Sequence, residues 1–195
     1  MISIFAAEAI RRKNREDPIL MVSADSTFAQ SPVMLSYWIG GKVSRQSLLF
    51  RDPSWSERER IDVRLNSKAV SLNASSQTVV LADGQEISYD RLLIATGSIP
   101  ISLPIPGAKS KGVNVLRTFK DAETILEKDP KEKEMIIIGG GFIGLKLACH
   151  LKGRGLSVMI LEKESKLASR MFDIKTSRLV EKRLKEEGIR VETDV

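Results

Sequence analysis

The sequence has very few of the residues that usually carry nucleophilic or metal chemistry. It contains one cysteine, Cys149, and one histidine, His150, in 195 residues. One cysteine excludes an internal disulfide, a C-x-x-C redox pair and a cysteine-rich metal knuckle, and one histidine excludes a histidine-rich metal site. Both residues fall inside a predicted helix, where packing is the expected role. The composition therefore predicts no metal site, and it leaves the catalytic residues unknown.

Long apolar runs are also lacking, because no run approaches the ~20 residues that a membrane span needs. The first residues, 1–7, are apolar, but they lack the basic leader and the length of a secretion signal. These absences predict a cytoplasmic protein with no membrane partner.

Aromatic residues make up only 5% of the chain, whereas the net charge is +6. The basic residues are interleaved with acidic ones, as in 182–187, which is typical of solvated helix faces. Nucleic-acid binding would need aromatic or motif support, and the sequence offers neither. We therefore predict no nucleic-acid partner. A weak attraction to an acidic electron-carrier protein is another interpretation of the same net positive charge.

The most informative stretch is a glycine run that follows an apolar segment. Residues 135–138 are apolar, three of them β-branched, and predict a buried parallel strand. Gly139, Gly141 and Gly144 then fit the pattern G-x-G-x-x-G, and a helix is predicted over 145–151. The first glycine permits a tight turn, the second lets the backbone approach a pyrophosphate, and the third lets the helix pack on the strand. The helix N-terminus would hold the phosphates.

An acidic residue stands where this motif requires one. A second apolar strand is predicted over 157–161, and it ends at Glu162, about 20 residues beyond the glycines. A carboxylate there accepts hydrogen bonds from a ribose 2′-hydroxyl and repels a 2′-phosphate, so the pattern favours NAD(H) over NADP(H). Lys163 weakens that preference. The simpler alternative is a glycine-rich turn that binds nothing.

The rest of the chain reads as alternating helices and strands. Helices are predicted over 4–15, 54–60, 119–128 and 173–187. Strands are predicted over 19–22, 62–65, 69–72, 78–81, 86–89, 90–95, 113–116 and 189–192, with an Asp-Gly hairpin turn at 83–84. In the last helix we expect Ile174, Leu179, Val180 and Leu184 to point inward.

This order of elements resembles the pyridine nucleotide-disulfide oxidoreductase superfamily. The stretches that carry the resemblance are 6–11, 83–98, 116–118 and 136–162, above all the run Tyr-Asp-Arg-Leu-Leu-Ile-Ala-Thr-Gly-Ser. The sequence looks most like the branch with NADH oxidases, NADH-dependent nitrite reductases, and rubredoxin or ferredoxin reductases. The resemblance implies an α/β fold of two incomplete Rossmann-like, three-layer ββα domains. It implies a partial FAD-binding domain over 1–112 and a partial NAD(P)H-binding domain over 113–195.

The resemblance also implies roles for individual residues. For NADH the implied residues are Gly139, Gly141, Phe142, Ile143, Gly144 and Glu162. For FAD they are Thr96, Gly97, Arg117, Ala69 and Asp25, with Ser23 as an alternative to Asp25 and Ser31 and Pro32 passing the flavin. A surface salt bridge for Arg117 and a turn cap for Asp25 are the alternative readings.

Three departures from the superfamily pattern stand out. The N-terminal FAD pyrophosphate motif and its strand are missing, and so is everything after Val195, so we expect a chain truncated at both ends. Lys146 stands where relatives usually carry glutamate, which is expected to disturb packing near the flavin. No cysteine lies near 31–33, where peroxidase-type relatives have one.

The resemblance implies an enzyme with FAD and NAD(H) as cofactors, which passes a hydride from NADH to FAD. Without a redox cysteine, the expected electron acceptor is a rubredoxin, a ferredoxin or another iron–sulfur domain, a haem domain, or dioxygen. A homodimer is implied for the full-length protein. The alternative is a truncated, non-catalytic fragment that at most binds a nucleotide.

Overall fold

The computed structural model describes residues 2–101, 103–127 and 134–195. By contacts the chain divides into two compact units. Unit 1 comprises Met1–Ser31 and Leu49–Ile101, and unit 2 comprises Pro32–Leu48 and Ser102–Val195.

Six helices and eight strands are present in the described residues, besides short 3-10 turns. The helices are α1 (Ile2–Lys13), α2 (Leu35–Ile39), α3 (Trp55–Arg58), α4 (Phe119–Leu126), α5 (Phe142–Gly153) and α6 (Ile174–Glu186). The strands are β1 (Ile19–Val22), β2 (Ile61–Arg64), β3 (Ala69–Asn73), β4 (Thr78–Leu81), β5 (Glu86–Ser88), β6 (Glu134–Ile138), β7 (Ser157–Glu162) and β8 (Arg190–Thr193).

Unit 1 contains two small sheets. Strands β1 and β2 pair in parallel, whereas β3, β4 and β5 form an antiparallel meander. Its core gathers Ile4 and Ala7 of α1, Trp55 and Ile61. Arg11 of α1 is also buried, and its guanidinium donates to backbone carbonyl oxygens of residues 14, 17, 59 and 60. A buried charge is tolerated here because its N–H groups are hydrogen-bonded.

Unit 2 is built on a three-stranded parallel sheet in the order β6-β7-β8. Its core lies on one face, where Val158 and Ile160 of β7 are fully buried against α5 and α6. On the opposite face Ile136 and Ile138 are more than half exposed. Parallel strands place their carboxyl ends at one edge, so the turn after β6 and the end of β7 lie side by side.

Helix α2 packs closely against α5 within unit 2. A Cβ on Gly40 would lie 2.7 Å from the Cβ of His150, so the two backbones approach to a distance that only glycine permits. The His150 ring contacts Tyr37 with centroids 4.6 Å apart. The packing role expected for His150 is confirmed, whereas Cys149 is exposed and the same expectation is wrong for it.

Several sequence-based predictions need correction. Residues 90–95 and 113–116 are not strands: both segments run as coil, and Leu93 is 57% exposed. A strand needs a neighbour for its backbone groups, and no strand of the described residues pairs with either segment. On α6, Leu184 points inward as predicted, but Ile174 and Leu179 are exposed. The predicted helix end at residue 128 lies outside the described residues.

The mixed α/β fold predicted from the sequence is confirmed. The predicted domain boundary between 112 and 113 differs from the division by contacts, which places 32–48 and 103–112 with the second unit. The assignment of FAD to the first domain and NAD(P)H to the second stays a prediction.

Candidate nucleotide-binding site

The site begins at the turn that links β6 to α5. Gly139 has φ +106°, a conformation that residues with a Cβ rarely adopt. Its N–H donates to the carbonyl oxygen of Leu161 on the adjacent strand, at 2.8 Å. The turn is therefore fastened to the sheet while it reverses direction.

Gly144 and Gly141 differ sharply in their surroundings. A Cβ on Gly144 would lie 2.1 Å from the carbonyl oxygen of Gly139, so the first turn of α5 packs directly on the glycine turn. A Cβ on Gly141 would meet nothing within 4 Å. Gly144 is needed for folding, whereas the space above Gly141 is open to a ligand.

The first amides of α5 have no acceptor within the helix, as at every helix start. Gly141 is the N-cap and offers no side chain, and the first N–H of the helix ladder is that of Leu145, which donates to the Gly141 carbonyl. Phe142 and Ile143 occupy the first helical positions, and their side chains are exposed. These amides, with the helix dipole, form a site suited to an anion.

The carboxylate of Glu162 lies at the mouth of this turn. Its Oε2 accepts from the N–H of Gly140 at 2.7 Å, and its Oε1 accepts from the N–H of Glu164 at 3.0 Å. Both oxygens are thus oriented by the backbone, and each retains a lone pair for a hydroxyl. The neighbouring Lys163 lies 3.5 Å from the Glu164 carboxylate.

Gly140 is a site residue that the sequence motif does not single out. A Cβ there would lie 2.4 Å from Leu167 Cδ2 and 3.2 Å from Glu162 Oε2. The available signal was the run of three consecutive glycines, but the neighbours that exclude a side chain lie more than 20 positions away in sequence.

The residues implied for FAD in unit 1 are only partly brought together. Asp25 follows β1, and its carbonyl accepts from Asn66 N–H at 3.0 Å, so it lies beside the segment that leads into Ala69. Thr96 and Gly97 lie in the exposed coil after residue 90, and none of the hydrogen bonds among described residues joins them to Asp25 or Ala69.

Arg117 lies in unit 2, immediately before α4. Its backbone N–H donates to the carboxylate of Asp121 at 3.0 Å. This bond lies beside the capping box that Thr118 and Asp121 form at the helix start. The capping box fixes the backbone of Arg117.

Lys146, the departure from the family pattern, has a definite partner. Its Nζ donates to the Tyr37 hydroxyl at 3.0 Å and lies 4.8 Å from the ring centroid. This contact joins α5 to α2, and the expected disturbance near the flavin stays a prediction. Burial, with a smaller effect from the nearby Lys146 and Lys42, lowers the pKa of His150.

Over the described ranges no three or more His, Cys, Asp or Glu side chains are grouped so as to hold a metal ion. Within the same part of the chain, none of the helices has the length and apolar character required to cross a bilayer.

The sequence profile of the pyridine nucleotide-disulphide oxidoreductase family matches residues 4–195. The chain belongs to this family. Its Rossmann-like α/β fold is the FAD/NAD(P)-binding fold of that family, as the sequence analysis predicted.

Individual relatives support the assignment. The chain is 32% identical to the epsilon subunit of NADH-dependent phenylglyoxylate dehydrogenase from Aromatoleum evansii, over 96% of this chain and 45% of the relative. It is 28% identical to rubredoxin-NAD(+) reductase from Pseudomonas putida, over 94% of this chain and 48% of the relative. Among solved structures, the NAD-dependent persulfide reductase from A. fulgidus superposes with a TM-score of 0.91 at 33% identity, over 98% of this chain and 37% of that one. The chain therefore spans less than half the length of these family members.

The residues present fit the two family cofactors unequally. Around the β6–α5 turn an open glycine, unsatisfied helix amides and an oriented carboxylate together match a dinucleotide. In unit 1 Asp25 lies beside the segment that leads into Ala69, but no hydrogen bond of the described residues joins Thr96 or Gly97 to either of them. The fit is good for NAD(H) and incomplete for FAD.

Proposed function

We propose that the glycine turn binds the pyrophosphate of NADH and that Glu162 binds its adenine ribose. The supporting observation is the 2.7 Å hydrogen bond from Gly140 N–H to Glu162 Oε2, next to an open Gly141. Gly139 sets the turn, Gly144 packs the helix against it, and the amides of Phe142 and Ile143 face the phosphates. The carboxylate disfavours a 2′-phosphate, so the site prefers NADH to NADPH.

We further propose that the protein is an NADH-dependent flavoprotein oxidoreductase. When bound, the nicotinamide supplies a hydride and the flavin accepts it. The contribution of this chain is to bind and orient the dinucleotide. This task requires no side chain that acts as a general acid or base. Family membership supports FAD near Asp25, Ala69, Thr96 and Gly97 of unit 1, and the role implied for Arg117 stays a prediction.

The electron acceptor is proposed to be a carrier protein of the rubredoxin or ferredoxin class. The names of the relatives point to different acceptors, a persulfide in one and rubredoxin in another. The net charge of +6 supports an acidic carrier. The homodimer and the cytoplasmic location stay predictions.

A non-catalytic nucleotide-binding chain is the second candidate. The exposure of Leu92, Leu93 and Ile94 favours it, because no strand of the described residues pairs with this apolar segment.

Two measurements on the purified chain separate these candidates. Calorimetric titration with NADH tests the nucleotide site, and a flavin absorbance spectrum followed by NADH addition tests the enzyme. NADH binding with bound flavin that bleaches supports the oxidoreductase, whereas NADH binding by a colourless chain supports the non-catalytic candidate. A folded chain that binds neither NADH nor NADPH would contradict both.

A further inference from the structure

Ser177 is a buried polar residue that the proposed function does not use. It lies on α6, is only 1% exposed, and its Oγ–H donates to the carbonyl oxygen of Leu167 at 2.8 Å. A serine inside a helix usually faces solvent or bonds a carbonyl of its own preceding turn. Ser177 instead bonds a loop residue ten positions earlier, in a fully buried setting.

The loop that Ser177 holds contacts the glycine turn. Leu167 is 0% exposed, and its Cδ2 fills the place where a Cβ on Gly140 would lie. The next residue, Ala168, donates its N–H to the Gly140 carbonyl at 2.9 Å and has φ +47°. The Gly140 carbonyl and Cα are thus both fixed by this loop.

The same glycine orients the acidic residue of the site. Gly140 donates its N–H to Glu162 Oε2. The two peptide groups that flank the Gly140 Cα therefore have different partners: the carbonyl after the Cα is held by the loop, and the N–H before it orients the carboxylate. The contacts form one continuous path from Ser177 through Leu167 and Gly140 to Glu162.

We propose that Ser177 is a positioning residue that sets NADH affinity and the preference for NADH over NADPH through Gly140 and Glu162. This inference depends on the proposed function. Without the hydroxyl, the buried Leu167 carbonyl has lost its donor, and the loop relaxes to find another. Leu167 and Ala168 then no longer fix the backbone of Gly140, and its N–H no longer orients the Glu162 carboxylate toward a ribose.

A purely structural serine would lower stability without changing ligand preference. The test is therefore a double-mutant cycle with Ser177→Ala and Glu162→Ala, titrated with NADH and with NADPH. With Glu162 present, Ser177→Ala is expected to weaken NADH binding about five- to tenfold, as residues coupled in one hydrogen-bond network do. NADPH binding should change less. In the Glu162→Ala background the same substitution should change NADH binding by less than about twofold.

Leu184→Ala is the matched control, because Leu184 is a buried core residue of the same helix and its side chain has no hydroxyl that could hold the Leu167 carbonyl. It should lower stability at least as much and leave the NADH/NADPH ratio unchanged. Equal effects of Ser177→Ala in both backgrounds, or the same ratio change in Leu184→Ala, would overturn the proposal.

A second readout needs no nucleotide. Hydrogen exchange of the Gly140 amide, compared with that of Ile160 in the central strand, reports the path directly. In Ser177→Ala the Gly140 amide should exchange about tenfold faster or more, with Ile160 changed far less. An unchanged Gly140 amide would refute the positioning role even if the chain binds no nucleotide, and faster exchange without binding would place the failure in the proposed function instead.

Discussion

Gly144 lies so close beneath Gly139 that a Cβ on Gly144 would be 2.1 Å from the Gly139 carbonyl oxygen. The start of α5 and the glycine turn are therefore one rigid piece, and the helix amides keep a fixed direction relative to the sheet. This contact distinguishes Gly144, which the fold requires, from Gly141, for which we propose a role in binding the nucleotide.

We expect Gly144→Ala and Gly141→Ala to fail in different ways. The methyl group of Gly144→Ala meets backbone, so the variant should lose roughly 2–3 kcal/mol of unfolding free energy and NADH binding with it. Gly141→Ala meets open space, so its stability should stay within about 0.5 kcal/mol of the parent while NADH affinity falls at least tenfold. Urea unfolding and calorimetry measure the two quantities. Unchanged NADH binding by Gly141→Ala would argue against a pyrophosphate at this turn.

Glu162→Gln should reduce the difference between the binding affinities for NADH and NADPH. Removing the charge weakens the acceptor for the ribose hydroxyl and abolishes repulsion of a 2′-phosphate. We expect NADH affinity to fall about tenfold and NADPH affinity to rise or stay level. Both affinities are compared by titration at the same ionic strength. If the parent chain already binds the two nucleotides equally, the carboxylate does not determine specificity.

The close contact between α2 and α5 leads to a prediction about Gly40. Gly40→Ala forces a methyl group into the Cβ of His150, and we expect unit 2 to lose about 1–3 kcal/mol in urea unfolding. Gly153→Ala is the control on α5, since a Cβ there meets nothing within 4 Å. It should gain roughly 0.5–1 kcal/mol from helix propensity. Equal stability of the two variants would contradict the close packing.

Acid should destabilise unit 1 through Glu8. Its carboxylate accepts two hydrogen bonds from Arg51 and one from Trp55, and these contacts, Arg51 first, lower the pKa of Glu8. Because the folded-state pKa lies below the unfolded one, the stabilisation is present above the ordinary pKa and is lost as the pH falls below it.

Glu8→Gln should therefore cost about 1–2 kcal/mol at pH 7, and the difference from the parent should shrink from about pH 5 downward. Arg51→Met removes the largest cause of the lowered pKa of Glu8. The unfolding free energy of this variant should therefore fall less than that of the parent as the pH drops. Urea midpoints of unit 1 across pH 3–8 test this. Curves that stay parallel at all pH values would exclude Glu8 as the group responsible.

Local constraints in this protein could be predicted from sequence, and distant ones could not. The tasks of Gly139 and Gly144 follow from a motif six residues long, because each constraint arises within the turn itself. Gly140 and Ser177 escaped notice since their partners, Leu167 and Glu162, reach them through the fold. The basic residues were interpreted together as solvated helix faces, yet Arg11 is buried and donates to carbonyl oxygens nearly 50 residues later.

Strand propensity alone also misled. Four of the residues 90–95 are apolar, which predicted a buried strand, but the structure shows coil there. A strand exists only when a neighbour accepts its hydrogen bonds, which a single segment of sequence does not specify. The prediction for the Rossmann-like part around β6 and β7 was correct because the strands that pair there follow one another directly along the chain.

The exposed coil at Leu92, Leu93 and Ile94 has a practical consequence for handling the isolated chain. Apolar side chains beside unpaired amides and carbonyls form a template on which a strand from a second copy can align. Concentrated preparations should therefore self-associate through this segment, and a lysine substituted for Leu93 should keep the copies apart.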